Sequence, residues 1–188
     1  EIRTRLVGSE MCIRDSSVNG WTIEDEVYAS IMTDDVNEKY LPNRSIKGLE
    51  VTMRIEDAIH DAEIVVLAVP SAHILDVVES LLPHLRPGHV LLDLAKGLAP
   101  GKRLISEAIE GMLEANNMSN ALAVLTGPTI APEAADGVMT TALVASSDLS
   151  IATRLANTLT TPTFVLHPAS DPVGAELWGA FKNVVALA

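Results

Sequence analysis

The sequence is poor in cysteine, in aromatic residues and in positive charge. A single cysteine, Cys12, among 188 residues excludes a disulfide within the chain, and no Cys/His cluster has the spacing of a zinc site. Thirteen basic against 25 acidic residues give a net charge of −12, which argues against nucleic-acid or anionic-membrane surfaces because both need clustered cations. No apolar run approaches the roughly 20 residues that span a bilayer. We therefore expect no metal, no nucleic-acid partner, no membrane insertion and a cytoplasmic location.

Aliphatic residues dominate the hydrophobic part of the sequence. Hydrophobic residues make up 48% of the sequence and aromatic residues only 3%, so the core must be built from Ala, Val, Leu and Ile. This bias suits strands that are buried on both faces under helices.

Residues 1–16 differ from the rest of the sequence. They have no initiating Met, no hydrophobic periodicity and no apolar segment of the kind found in a signal peptide. We expect them to be a non-native leader, such as translated adapter sequence, which leaves Cys12 outside the fold.

From Ser17 onward, short apolar runs alternate with helical segments. The runs predict strands at 63–70, 89–95, 121–126, 140–145 and 163–167. The helical segments are predicted at 72–82, 106–116, 131–135, 150–159 and 172–188. Such alternation indicates an α/β fold with a largely parallel sheet that is covered on both faces. Residues 18–40 give the weakest pattern, which we interpret as an edge of the sheet followed by a helix and a loop.

Three of the predicted strands end in chemically unusual segments. These are Val69-Pro-Ser71, Lys96-Gly-Leu98 and Gly127-Pro-Thr-Ile-Ala131. In parallel α/β sheets, ligands bind beyond the carboxyl ends of the strands. Each segment alone is more often an ordinary turn, but together they predict one site.

Lys182-Asn183 is the most informative pair in the chain. At about 100° per residue, Lys182 shares a helix face with Trp178 and Gly179. The glycine leaves space and the apolar neighbours exclude water, which favours the neutral amine that a proton acceptor requires. Taken without its surroundings, Lys182 would be interpreted as an exposed helix lysine.

These motifs, in this order, resemble the NAD(P)-dependent glycerol-3-phosphate dehydrogenases of the bacterial type. The resemblance runs from residue 21 to residue 188 and rests on residues 37–42, 62–71, 96–98 with 106–107, 127–133, 144–146 and 174–184. It implies a Rossmann-like, doubly wound fold, with NAD or NADP as the cofactor. It also implies reversible hydride transfer between sn-glycerol 3-phosphate and the nicotinamide ring, giving dihydroxyacetone phosphate. That reaction serves glycerophospholipid synthesis and connects it to carbohydrate metabolism.

The resemblance also implies roles for individual residues. Lys182 matches the proton acceptor, Asn183 a residue that positions by hydrogen bonding, and Lys96 a cation near both the cofactor and the substrate. The remaining implied contacts are with the substrate at Gly127 and Thr129, and with the cofactor at Ala131 and Ser71. Trp178 stands where the family usually has glycine, and we expect it to pack in the core.

Two parts of the family pattern have no counterpart in the sequence. The first strand with its Gly-x-Gly-x-x-Gly loop is not found, and neither is the C-terminal helical domain. Residues 17–188 are therefore expected to be a partial NAD(P)-binding domain that ends in the first part of the helix carrying Lys182. We expect this chain alone to catalyse little or nothing.

Two alternatives stay open. A 3-hydroxyacid or 6-phosphogluconate type dehydrogenase also uses Lys-Asn on a helix after the sheet. A non-catalytic nucleotide-binding fragment that dimerises through an exposed sheet edge belongs to a different class. The choice between NAD and NADP, and between a monomer and a homodimer, is not determined by the sequence.

Overall fold

The computed structural model describes residues 4–5 and 17–185, with side chains from 17 to 181. These residues form ten strands, seven α-helices and two short 3-10 helices, and strands alternate with helices from β5 onward. The strands are β1 (Thr4–Arg5), β2 (Val18–Trp21), β3 (Val36–Asn37), β4 (Leu41–Ser45), β5 (Leu49–Thr52), β6 (Ile64–Leu67), β7 (Val90–Asp93), β8 (Leu122–Thr126), β9 (Thr140–Ala145) and β10 (Phe164–Ala169). The helices are α1 (Asp25–Asp34), α2 (Ile55–Ile59), α3 (Ile74–Leu81), α4 (Ile105–Ala115), α5 (Ala131–Ala135), α6 (Leu149–Leu159) and α7 (Pro172–Val185).

Six strands form the main sheet, in the order β1-β6-β7-β8-β9-β10. Neighbours from β1 to β8 are parallel, β9 runs antiparallel to β8, and β10 is parallel to β9. Two smaller pairs lie outside it, β2 with β5 and β3 with β4. The predicted α/β, mostly parallel, Rossmann-like sheet is therefore confirmed, with one reversal at β9.

The edge of the sheet begins earlier than the sequence indicated. Thr4 and Arg5 pair in parallel with Ile64 and Val65 of β6, although residues 1–16 were expected to lie outside the fold. The exposed hydrogen-bonding edge of β6 accounts for the pairing, because an edge strand binds any extended segment within reach. Cys12 lies outside the described residues.

Two aliphatic layers cover opposite faces of the main sheet, and a third buried cluster packs α1 against β2, β4 and β5. Along β7, Leu91 packs with the layer under α3 and α4, whereas Leu92 packs with the layer under α6. Side chains alternate across a strand, so the unbroken apolar run of β7 fills both layers. By the same alternation, Asp93 lies on the side of Leu91, towards α4. Every helix in the described part of the chain is too short or too polar to span a membrane.

Candidate active site

The three unusual loops meet at one edge of the sheet. Since β6, β7 and β8 are parallel neighbours, their carboxyl ends and the loops that follow lie side by side. Lys96, after β7, donates from Nζ to Oγ1 of Thr129 at 3.1 Å and to its carbonyl oxygen at 3.3 Å. Lys96 is exposed and Thr129 half-buried. The structure thus brings the predicted cation of Lys96 and the predicted hydroxyl of Thr129 together at the carboxyl edge of the sheet.

Ser71, after β6, lies against the Lys96 loop. A Cβ on Gly97 would stand 2.7 Å from Oγ and 3.0 Å from Cβ of Ser71, so a larger residue would force the Ser71 side chain to shift. The sequence predicted that the next helix begins at residue 72, and this is wrong. The amide of His73 donates to the carbonyl of Pro70 at 2.9 Å, and that turn delays the start of α3 to Ile74.

Gly127 is required by the packing of two strands. A Cβ there would lie 2.8 Å from Cβ of Ala142, 2.9 Å from its Cα and 2.9 Å from the carbonyl oxygen of Thr141. The close neighbour is therefore β9 of the protein itself. The backbone turns immediately afterwards, with the Thr129 amide donating to the Gly127 carbonyl at 2.8 Å, and Ala131 begins α5 in an exposed position.

Helix α7 is packed onto the end of β8. It begins at Pro172, as predicted, and Asp171 caps it by accepting from the Gly174 amide at 2.8 Å. Lys182 and Asn183 belong to this helix, but their side chains lie outside the described residues. They follow the buried Gly179 by three and four positions, which places them on its side of the helix.

The expectation that Trp178 packs in the core is wrong. Trp178 is 69% exposed and does not pack in the core. One residue from Gly179 on a helix is a rotation of about 100°, which carries Trp178 away from β8.

Sequence reasoning gave no role to two buried acids beneath the loops. Asp93 is inaccessible to solvent; its Oδ1 accepts from the Ala95 amide at 2.8 Å, while Oδ2 has no hydrogen-bond partner among the described residues. Burial raises the pKa of Asp93 to about 7, the Ala95 N–H acts in the opposite direction, and the charge of Glu176 raises it further. The sequence feature that could have revealed Asp93 is its position as the one acid within the apolar run Leu91-Leu-Asp-Leu-Ala95.

Glu176, the second acid, is 2% exposed on α7. Its carboxylate accepts from the amide of Ile105 at 2.6 Å, from the amide of Ser106 at 3.3 Å and from Oγ of Ser106. These donors are the unpaired groups at the start of α4, where a negative charge is favourable. Glu176 therefore ties α7 to α4.

A small apolar cleft of about 100 Å³ opens beside the same edge. It lies between β2 and β6, with Gly20 and Trp21 on one side and Ala68 and Val69 on the other. No sequence pattern indicated this cleft, because its two walls are more than 40 residues apart in the chain.

Comparison with known proteins places this architecture in a family. The family model for the N-terminal part of NAD-dependent glycerol-3-phosphate dehydrogenases matches residues 7–152. A glycerol-3-phosphate dehydrogenase [NAD(P)+] of Koribacter versatilis is 37% identical over 174 residues, covering 92% of this chain and 51% of the relative. Another, of Mycobacterium avium, is 33% identical over 183 residues, covering 96% and 52%.

A solved structure agrees. The glycerol-3-phosphate dehydrogenase of Coxiella burnetii superposes with a TM-score of 0.87 at 25% identity, over 99% of this chain and 58% of that one. The chain thus spans about half the length of the curated relatives it matches. On the family match and the shared fold, the chain belongs to the NAD-dependent glycerol-3-phosphate dehydrogenases.

Proposed function

We propose that the protein containing this chain transfers a hydride between sn-glycerol 3-phosphate and NAD or NADP, giving dihydroxyacetone phosphate. The observation that carries the proposal is the contact of Lys96 with Thr129 at the carboxyl edge of the parallel sheet. Helix α7 is packed against the same edge through Gly179 and Thr126. One cation, one hydroxyl and the helix bearing Lys182 therefore lie at the same edge of the sheet.

The described residues fit a dinucleotide. Such cofactors lie across the carboxyl ends of parallel strands, where this structure has the apolar cleft between β2 and β6 and the closely packed loops of Ser71 and Gly97. Ser71, Lys96 and Ala131 would hold the cofactor along that edge. When bound, the nicotinamide ring supplies or accepts the hydride.

The residues of the chain would handle the proton and the charge. Lys182 would take the proton of the C2 hydroxyl when a hydride leaves C2, and return it when the ketone is reduced. Lys96 would stabilise the negative charge that develops on the same oxygen. Gly127 and Thr129 would contact the substrate, and Asn183 would position it through hydrogen bonds.

We further propose a cytoplasmic enzyme that supplies glycerophospholipid synthesis. A homodimer is the assembly we would test first. The alternative activity is oxidation of a 3-hydroxyacid or of 6-phosphogluconate. The alternative from another class is a chain that binds nucleotide, or dimerises, without catalysis.

The test compares the 188-residue chain with a chimaera. In the chimaera, residues 17–188 are preceded by the first strand and glycine-rich loop of the Koribacter versatilis relative and followed by its second half. We expect the chimaera to oxidise glycerol 3-phosphate and the shorter chain to show little or no turnover. Higher kcat/KM for 3-hydroxyacids or 6-phosphogluconate would overturn the proposed substrate. An inactive chimaera that folds and still binds NADH would favour the non-catalytic alternative.

A further inference from the structure

Two buried carboxyl groups lie between the elements that carry the two predicted catalytic lysines. Asp93 ends β7, three residues before Lys96, and Glu176 lies on α7, six residues before Lys182. Both acids are at most 2% exposed. They are close enough for the charge of Glu176 to raise the pKa of Asp93. Buried acids are costly unless their oxygens are bonded, so an orphaned oxygen requires a reason.

Asp93 shapes the loop that leads to Lys96. Its Oδ1 accepts from the Ala95 amide two residues on, a local turn that an aspartate or asparagine side chain closes well. This bond fixes the backbone one residue before Lys96. Lys96 then reaches Thr129 across the mouth of the sheet.

Glu176 fixes the helix on the other side. Its carboxylate occupies the N-terminus of α4, where it accepts from Ile105 and from two donors of Ser106. One helix is thereby held against another at a buried point, and Lys182 follows less than two turns later. Because α7 is a rigid helix, any movement of Glu176 would also displace Lys182.

We propose that Asp93 and Glu176 are positioning residues, a buried carboxyl pair that sets the Lys96 loop against the helix carrying Lys182. The proposal rests on the proposed function only in naming Lys96 and Lys182 as the groups that are positioned. With Asp93 neutral, the two acids tolerate each other, and the loop and the helix keep their relative placement. With Asp93 ionised, a second buried negative charge repels that of Glu176 and destabilises the placement of the loop against the helix.

Burial is the main cause of the raised pKa of Asp93, and the charge of Glu176 on α7 is a smaller one. On α4, burial and the neighbouring acids, Glu176 among them, raise the pKa of Glu110. His89 precedes Asp93 by four residues, at the opposite end of β7. The cation of Lys96 is exposed at the carboxyl edge of the sheet. The switch between neutral and ionised Asp93 is therefore centred at pH about 7, and ionisation occurs as the pH rises.

The experiment follows four variants of the 188-residue chain by NMR. Asp93→Asn keeps the acceptor for the Ala95 amide and cannot ionise, whereas Asp93→Ala removes both. Glu176→Gln removes the second charge, and Asp76→Asn, at an exposed position on α3, is the matched control. The amides of Ala95 and Ser106 are titrated from pH 5.5 to 8.5. In parallel, the lysines are labelled with ¹³C-methyl groups so that Lys96 and Lys182 each give a signal.

We expect the amides of Ala95 and Ser106 to titrate with one shared midpoint near pH 7 in the unmodified chain and in Asp76→Asn. Asp93→Asn should abolish the midpoint in both and leave the Lys96 and Lys182 signals close to their low-pH positions. Asp93→Ala and Glu176→Gln should displace both lysine signals. Independent midpoints, or a Lys182 signal indifferent to Asp93→Ala and Glu176→Gln, would overturn the proposal.

The outcome is separate from that of the catalytic test, because no turnover is measured. A chimaera that fails to oxidise glycerol 3-phosphate would remove the proposed function and leave a demonstrated coupling between the two elements. Uncoupled titrations beside an active chimaera would remove the positioning role and leave the function.

Discussion

Gly179 lies so close to Thr126 that a Cβ at residue 179 would stand 2.5 Å from the threonine Oγ1. This contact seats α7 on the last residue of β8, directly before Gly127. The distance between the helix that carries Lys182 and the Gly127 loop is thus set by the absence of one methyl group.

Replacing that glycine should displace or destabilise the helix. We expect Gly179→Ala to lower the free energy of unfolding by about 1–3 kcal/mol, as overpacking usually does. Gly111→Ala is the matched control, since Gly111 is an exposed residue of α4 with nothing within 4 Å of an added Cβ. It should raise stability by about 0.5–1 kcal/mol because alanine favours a helix. Urea unfolding measures both.

Thr126→Ala tests the mechanism of the first prediction. In the double variant with Gly179→Ala, the colliding Oγ1 is gone and the next atom of residue 126 is Cβ at 3.5 Å, an ordinary contact. The double variant should recover most of the stability lost in Gly179→Ala. Additive losses from the two changes would show that the collision is not the cause.

Gly127→Ala should be worse tolerated than Gly179→Ala. The added Cβ would meet backbone atoms of Thr141 and Ala142 at 2.9 Å, and strand backbone cannot rotate aside as a hydroxyl can. We expect a loss of about 3 kcal/mol or more. Gly88→Ala, a turn position with nothing within 4 Å, serves as the control and should change stability little. Equal effects of the two changes in thermal unfolding would contradict the account.

Asp93→Asn should stabilise the protein, increasingly so at higher pH. Burial raises the folded pKa of Asp93 from 3.8 to about 7, so the folded state holds a proton that the unfolded chain releases. The native protein therefore loses stability as the pH rises from about 4 to about 7, and asparagine escapes this loss. At about 1.4 kcal/mol per pKa unit, the advantage approaches about 4 kcal/mol at pH 8.

The measurement for Asp93→Asn is urea unfolding between pH 4.5 and 8. The difference between variant and parent should grow up to about pH 7 and then stay level. Asp76→Asn should show no such growth, and a constant difference for Asp93→Asn would mean that Asp93 does not titrate in this range.

The two lysines should contribute differently to turnover in the chimaera. Lys182→Met should lower kcat about 10²- to 10⁴-fold, the usual contribution of a positioned acid or base, with a smaller change in KM. Lys96→Met should affect both kcat and KM, since a cation that touches cofactor and substrate also assists binding. Lys47→Met, in the exposed turn before β5, is the control. Unchanged kcat in Lys182→Met would remove its assignment as proton acceptor.

Much of the fold followed from periodicity. The helix at 131–135 and the strand at 140–145 were predicted to the residue, and the other predicted strands and helices after residue 62 lie within a few positions. β4, β5 and α2 were not predicted. The reversal of β9 was not predictable, because an apolar strand has the same pattern in either direction. The start of α3 at Ile74 was not predictable either, because it follows a turn that is closed by the hydrogen bond from the His73 amide to the Pro70 carbonyl.

The sequence by itself determined the chemistry available: an aliphatic α/β sheet, three polar loops after successive strands, and a Lys-Asn pair on a glycine-bearing helix. Only the tertiary structure decided which of these groups touch. Lys96 meets Thr129 across 33 residues, and Glu176 meets Ser106 across 70. It also decided that Asp93 is buried and that its pKa is raised to about 7. Burial and proximity depend on distances between segments far apart in the chain, and these exist only once the layers have packed.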